Sequence, residues 1–154
     1  MQRTAYGLLF LGVAGFVASG AFGGVPAGHE GARHKARLLA HGKYLVTRAA
    51  PCSDCHSPRD AKGNLIPGKE LQGAPIGFKP IHPVPGWVNA APRIAGLPKG
   101  WSYDQTVHFL ETGVMPGGGF AGPPMPAFRF NRYDARSIAI YLKSLPAGET
   151  VKKR

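Results

Sequence analysis

The sequence predicts an all-α domain in which three main helices are joined by long Gly/Pro-rich loops wrapped around a bound group. Three observations lead there. Apolar residues recur at helical spacing in three separate segments, and no segment sustains the alternation of a strand. The 154 residues include 22 glycines and 15 prolines, which leaves little chain for a core built from regular structure. Residues 57–100 alone hold eight prolines and seven glycines, with no period of either kind. So long a structureless stretch inside one compact domain is reasonable when it wraps a large flat apolar ligand that replaces the missing core.

Taken in order, the chain opens with Arg3 and then an uncharged run from Ala5 to Phe22, followed by small residues. That order is a secretory signal over residues 1–23. A retained membrane anchor over residues 5–22 is the alternative, although Gly7, Gly12, Gly15 and Gly20 make a poor permanent helix. Residues 24–30 read as a flexible lead, residues 31–147 as the folded domain and residues 148–154 as a basic tail.

The first helix is expected over about Gly31 to Arg48, with Leu38, Gly42, Leu45 and Val46 on one side. Gly42 costs such a helix about 1 kcal/mol relative to Ala, a cost that close approach of another backbone or ring would offset. Ser102 followed by Gln105 is a capping-box spacing, which starts a second helix that Gly113 stops. Its apolar side is Tyr103, Val107 and Leu110. A third helix follows Asn131, with Asp134 at the reciprocal capping position. Ile138, Tyr141, Leu142 and Leu145 form its stripe, and Pro146 ends it.

Without the leading segment, 18 basic side chains face 8 acidic ones. No nucleic-acid motif accompanies that charge, and export argues against nucleic acid. An acidic redox partner or an anionic membrane surface fits better, because opposite charge speeds encounter.

The chemistry is carried by Cys52-Ser53-Asp54-Cys55-His56, which contains both cysteines of the chain. On a helical turn both sulfurs face one side, where each can add to a haem vinyl group, and the adjacent imidazole can reach the iron. A redox dithiol would need a preceding strand, and here a helix and Ala49-Ala50-Pro51 precede it. A structural zinc site usually needs a second Cys/His pair, and no second cysteine pair exists. A disulfide across two intervening residues would be strained and would staple almost nothing. The cofactor expected is therefore one covalent haem c on Cys52, Cys55 and His56.

With the leading segment and the helix ending Tyr141-Leu142-Lys143-Ser144-Leu145-Pro146, the chain resembles the class I cytochromes c over most of residues 31–147. It is most similar to cytochrome domains in cytochrome subunits of membrane-bound bacterial alcohol and sugar-acid dehydrogenases. Cys52 to Pro58, Gly100-Trp101-Ser102, Thr112-Gly113, Met125-Pro126 with Phe128, and Tyr141 to Pro146 carry the likeness. Those subunits usually hold several haem motifs, and this chain has one. The resemblance implies that the first and last helices cross at Gly42 and Tyr141. It also implies that Pro92 offers its carbonyl to the haem-ligating His56.

Met115 and Met125 are the candidates for the sixth iron ligand, and each is followed by proline. Met125 lies in Gly122-Pro123-Pro124-Met125-Pro126, where three prolines restrict the backbone and limit the entropy lost on holding a sulfur against iron. The resemblance places the axial Met there too. His82 is the bis-His alternative, while His34, His41 and His108 read as solvated or partner-facing. Trp87 and Trp101 are candidates to pack on the haem or bond a propionate.

With both axial positions closed, the expected function is single-electron transfer and not enzymatic catalysis, between exported, periplasmic redox partners such as a dehydrogenase and a respiratory acceptor. The competing readings are a haem enzyme or gas sensor with an open or labile sixth site, and an anchored subunit of a larger complex.

Overall fold

The computed structural model describes residues 27–148. The expected signal or anchor, the first part of the lead and all but the first residue of the basic tail lie outside them.

Helix α1 runs Ala27–Tyr44 and passes directly into a π-helical turn, Leu45–Ala49. The helix thus begins four residues before the expected Gly31, with Glu30 in the first turn, where a carboxylate is favoured by the helix dipole. The π turn is closed by Ala50 N–H donating to the Leu45 carbonyl at 2.8 Å. It lets the chain leave the helix with Leu45 and Val46 both buried, just before Pro51, which has no N–H to continue a ladder. A second helix, α2, is the short Cys52–His56 turn itself.

Helix α3, Tyr103–Thr112, has the expected capping box: Ser102 and Gln105 exchange side-chain bonds with each other's backbone N–H at 3.1 and 2.8 Å. Gly113 ends it in the left-handed conformation, φ 76°. Helix α4, Arg132–Ser144, starts at Asn131, whose side chain accepts from Asp134 N–H at 3.0 Å. The described residues therefore hold four α-helices and a π turn, where the sequence suggested three main helices.

Helix α4 packs across α1 and against α3. Leu45, Val46, Val107, Leu110, Ala135, Ile138, Ala139 and Leu142 form most of the core, with Tyr103, Tyr141 and Leu145 partly buried against it. At the crossing Gly42 is buried, and a Cβ there would collide with the Ser137 carbonyl and stand 2.8 Å from Tyr141 Cβ. This is the contact that offsets the cost of a glycine in mid-helix.

The loop from Ser57 to Gly100 is pinned by Leu71, which is 1% exposed. Its carbonyl accepts from Ile94 and Ala95 N–H at 3.0 and 3.1 Å, and its own N–H donates to Ser57 Oγ at 2.9 Å. Leu71 has φ 59°. That left-handed conformation costs about 1–2 kcal/mol for a residue with a Cβ. Full burial of a leucine returns about 1.5–3 kcal/mol, so the knot holds. The loop also contains a two-residue antiparallel ladder, β1 Ala74–Pro75 with β2 Ala90–Ala91. It is too short for an alternating pattern to have announced it.

Candidate functional site

The site is organised around His56, which is 5% exposed. Its Nδ1 donates to the Pro92 carbonyl at 2.7 Å, and its backbone carbonyl accepts from Gly73 N–H at 2.7 Å. The ladder explains both contacts. Pairing Ala74 with Ala91 sets Gly73 and Pro92, the next residues outward, beside each other. Gly73 lies at φ 87°, and a Cβ there would come within 2.8 Å of Arg93 N and 3.1 Å of the Pro92 carbonyl carbon, so only glycine allows this approach. With Nδ1 committed, Nε2 carries the lone pair left for a metal.

Burial lowers the His56 pKa, an effect partly opposed by the bond to Pro92. The imidazole is therefore neutral at neutral pH, the form a metal binds. Cys52 and Cys55 form no disulfide with each other, and each is partly buried. Burial pushes the Cys52 thiol up to about 11. Redox dithiols work through a depressed pKa, so this pair is poorly suited to that chemistry. No cluster of three or more His, Cys, Asp or Glu side chains able to hold a metal exists among the described residues, which also removes the zinc reading there.

The segment carrying Met125 is tied to the same loop. Val88 N–H donates to the Pro123 carbonyl at 2.8 Å, and Met125 N–H to the Gly122 carbonyl at 3.2 Å. Gly122 lies so close to the Gly86 carbonyl that a Cβ would collide with it. Val88 and Pro92 are four residues apart, at most about 13 Å of extended chain, so one short stretch braces both His56 and the Met125 segment. Met115 sits elsewhere, in a tight turn closed by its N–H to the Gly119 carbonyl at 3.0 Å. It lines a groove with Asp104, Gln105 and His108 of α3.

No protein-family model matches the chain. Among known proteins it is similar to the fructose dehydrogenase cytochrome subunit of Gluconobacter japonicus, 34% identical over 125 residues that cover 71% of this chain and 23% of that protein. The diheme cytochrome c-type protein of Cereibacter sphaeroides is 30% identical over 113 residues, covering 70% and 36%. The cytochrome c subunit of the quinone alcohol dehydrogenase of Gluconacetobacter polyoxogenes is 33% identical over 118 residues, covering 70% and 24%. This chain carries a c-type cytochrome domain. It spans about a third or less of the length of the curated relatives it matches.

The cytochrome domain's residues fit a haem on a further observation. Trp87 Nε1 is buried and has no hydrogen-bond acceptor among the described residues. An unpaired buried N–H costs about 1–3 kcal/mol, which a carboxylate of a bound haem would relieve. The Trp87 ring is held edge-on against Phe78, with centroids 5.7 Å apart. Trp101 instead packs edge-on against Phe109 at 5.1 Å, within the protein.

Two residues of the cytochrome domain were misjudged or missed in sequence. His41 is only partly exposed and has a partner: its Nε2 donates to Asp134 Oδ1 at 2.6 Å, and its ring lies 5.1 Å from that of Tyr133, which fastens α1 to α4. The face argument places a histidine on its helix and cannot say what another helix, 93 residues later, brings opposite it. Ser57, directly after the haem motif, is 2% exposed and anchors Leu71; no spacing signals that role. His34 and His108 are exposed as expected, and His82, the bis-His alternative, is exposed as well.

Proposed function

We propose that this domain is a single-electron carrier and not an enzyme, with one haem bound to Cys52 and Cys55 and closed axially by His56 and Met125. The bound haem supplies the reversible Fe(III)/Fe(II) couple. The chain's residues do the rest. Pro92 fixes the His56 ring with Nε2 left over, so that a haem iron would be bound there without a reorientation cost. The bond from Val88 to Pro123 and the prolines around Met125 hold the backbone that carries its thioether, which leaves less backbone entropy to lose.

The observation that carries the reading is the 2.7 Å bond from buried His56 to Pro92 directly behind a C-x-x-C-H turn. Met125 is favoured over Met115 because its segment is braced by the same loop stretch as Pro92. We place the protein in the periplasm on the signal-like residues 1–23, with a dehydrogenase among its redox partners, as the relatives' names suggest.

The test is the visible spectrum, oxidised and dithionite-reduced, of protein made with a c-haem maturation system, alongside Met125→Ala. Sharp low-spin reduced bands, with a sulfur-to-iron band lost in the variant, are expected. A high-spin native spectrum, or a variant identical to wild type, would remove Met125 from the site.

A further inference from the structure

Away from the haem motif, one surface gathers positive charge around uncovered aromatic area. His34 and Leu38 of α1, Tyr103 of α3 and Arg132, Tyr133 and Arg136 of α4 line a groove over α4, between α1 and α3. His34 with Leu38, and Arg132 with Arg136, are four apart on their helices, so each pair stacks along one face. His34 and both arginines are exposed, while Leu38 and Tyr103 form a half-covered floor with Tyr133 at its side. Lys143 Nζ stands 6.0 Å above the Tyr103 ring and adds another cation to the rim. The nearest carboxylate on α4, Asp134, is already taken by His41 and Asn131. Asp104 follows Tyr103 and is exposed, but it is not part of the lining.

We propose that this groove seats a short acidic segment of a partner protein that inserts one large apolar side chain. Arginine rims over tyrosine floors supply forked donors for carboxylates and a rigid apolar surface at low entropic cost. The chain's own ends do not match. Residues 1–26 contain no Asp or Glu, and residues 149–154 set Glu149 among Lys152, Lys153 and Arg154. An anionic bilayer would meet the rim but leave the recessed floor unfilled. His34 lies ten residues before Tyr44, about 15 Å along α1 from the end that leads to Cys52. A segment bound here holds a partner without covering the haem motif, so the groove anchors while another face exchanges electrons.

The inference does not depend on the axial ligands and is tested by binding alone. The probe is a fluorescein-labelled Glu/Asp peptide with one central Phe, titrated with holoprotein by anisotropy at low ionic strength. Arg132→Glu with Arg136→Glu should weaken binding by about tenfold or more, the scale of losing charge-assisted contacts. The charge-matched pair Lys62→Glu with Lys69→Glu, on the exposed loop, should change it less than twofold. Replacing the peptide's Phe by Ser should also weaken binding. Arg136→Gln, a milder change, should give a smaller loss in the same direction. Equal losses in the two charge-matched variants, or indifference to the Phe, would overturn the proposal. So would loss of binding to phosphatidylglycerol vesicles with the peptide affinity unchanged, which would make the surface a membrane contact.

Discussion

Replacing Gly42 by alanine adds a single methyl group at the point where α1 crosses α4. That methyl would collide with the Ser137 carbonyl and stand 2.8 Å from Tyr141 Cβ. Neither neighbour is the free end of a flexible side chain, so relief requires α1 to slide away from α4. Overpacking a tight core contact costs about 1–3 kcal/mol, and a backbone obstacle places this case at the upper end. Alanine's better helix propensity returns about 1 kcal/mol, leaving a net loss of about 2 kcal/mol. For a domain of this size that lowers Tm by about 6–8 °C.

Gly31 supplies the control on the same helix, because a Cβ there meets nothing within 4 Å. Gly31→Ala should therefore be neutral or stabilise by about 0.5–1 kcal/mol. Guanidinium and thermal unfolding of the holoproteins, followed by circular dichroism, measures both. A Gly42→Ala protein as stable as wild type, or one behaving like Gly31→Ala, would refute the close crossing.

Ser57→Ala should cost about 1–3 kcal/mol, because it leaves the buried Leu71 N–H without its acceptor. Guanidinium unfolding reads the loss, and hydrogen exchange should locate it at the Leu71 amide; unchanged protection there would contradict the knot. In a double-mutant cycle, His41→Ala and Asp134→Asn should couple by about 1 kcal/mol through the contact they share. Strictly additive unfolding energies would mean that His41 does not fasten the helices.

The helix termini were legible where side chains cap them. Ser102 with Gln105, Gly113 and Asn131 with Asp134 each write a local hydrogen bond into the sequence, and each boundary followed. The start of α1 was less legible, because Gly24, Pro26 and Gly28 suggested a lead where the helix had already begun at Ala27. The π turn depends on one bond between Leu45 and Ala50, and the ladder on two residues per strand, too little of either for a period to form. Gly42 could be read because a helix glycine raises the question of what approaches it. In the proposed haem site, Cys52, Cys55 and His56 stand within five residues of one another in sequence. The bracing of Pro92 and of the Met125 segment by one loop stretch is a long-range product of the fold, and only the resemblance pointed to Pro92.

Attachment of one haem through Cys52 and Cys55 is tested most directly by intact-mass spectrometry after acidic acetone extraction. Wild-type protein should keep the mass of one haem, located in the fragment containing Cys52 to His56, and a Cys52→Ser, Cys55→Ser chain should keep none. A wild-type chain stripped to its bare polypeptide mass would contradict covalent attachment, and with it the reading of this turn as a c-type haem site.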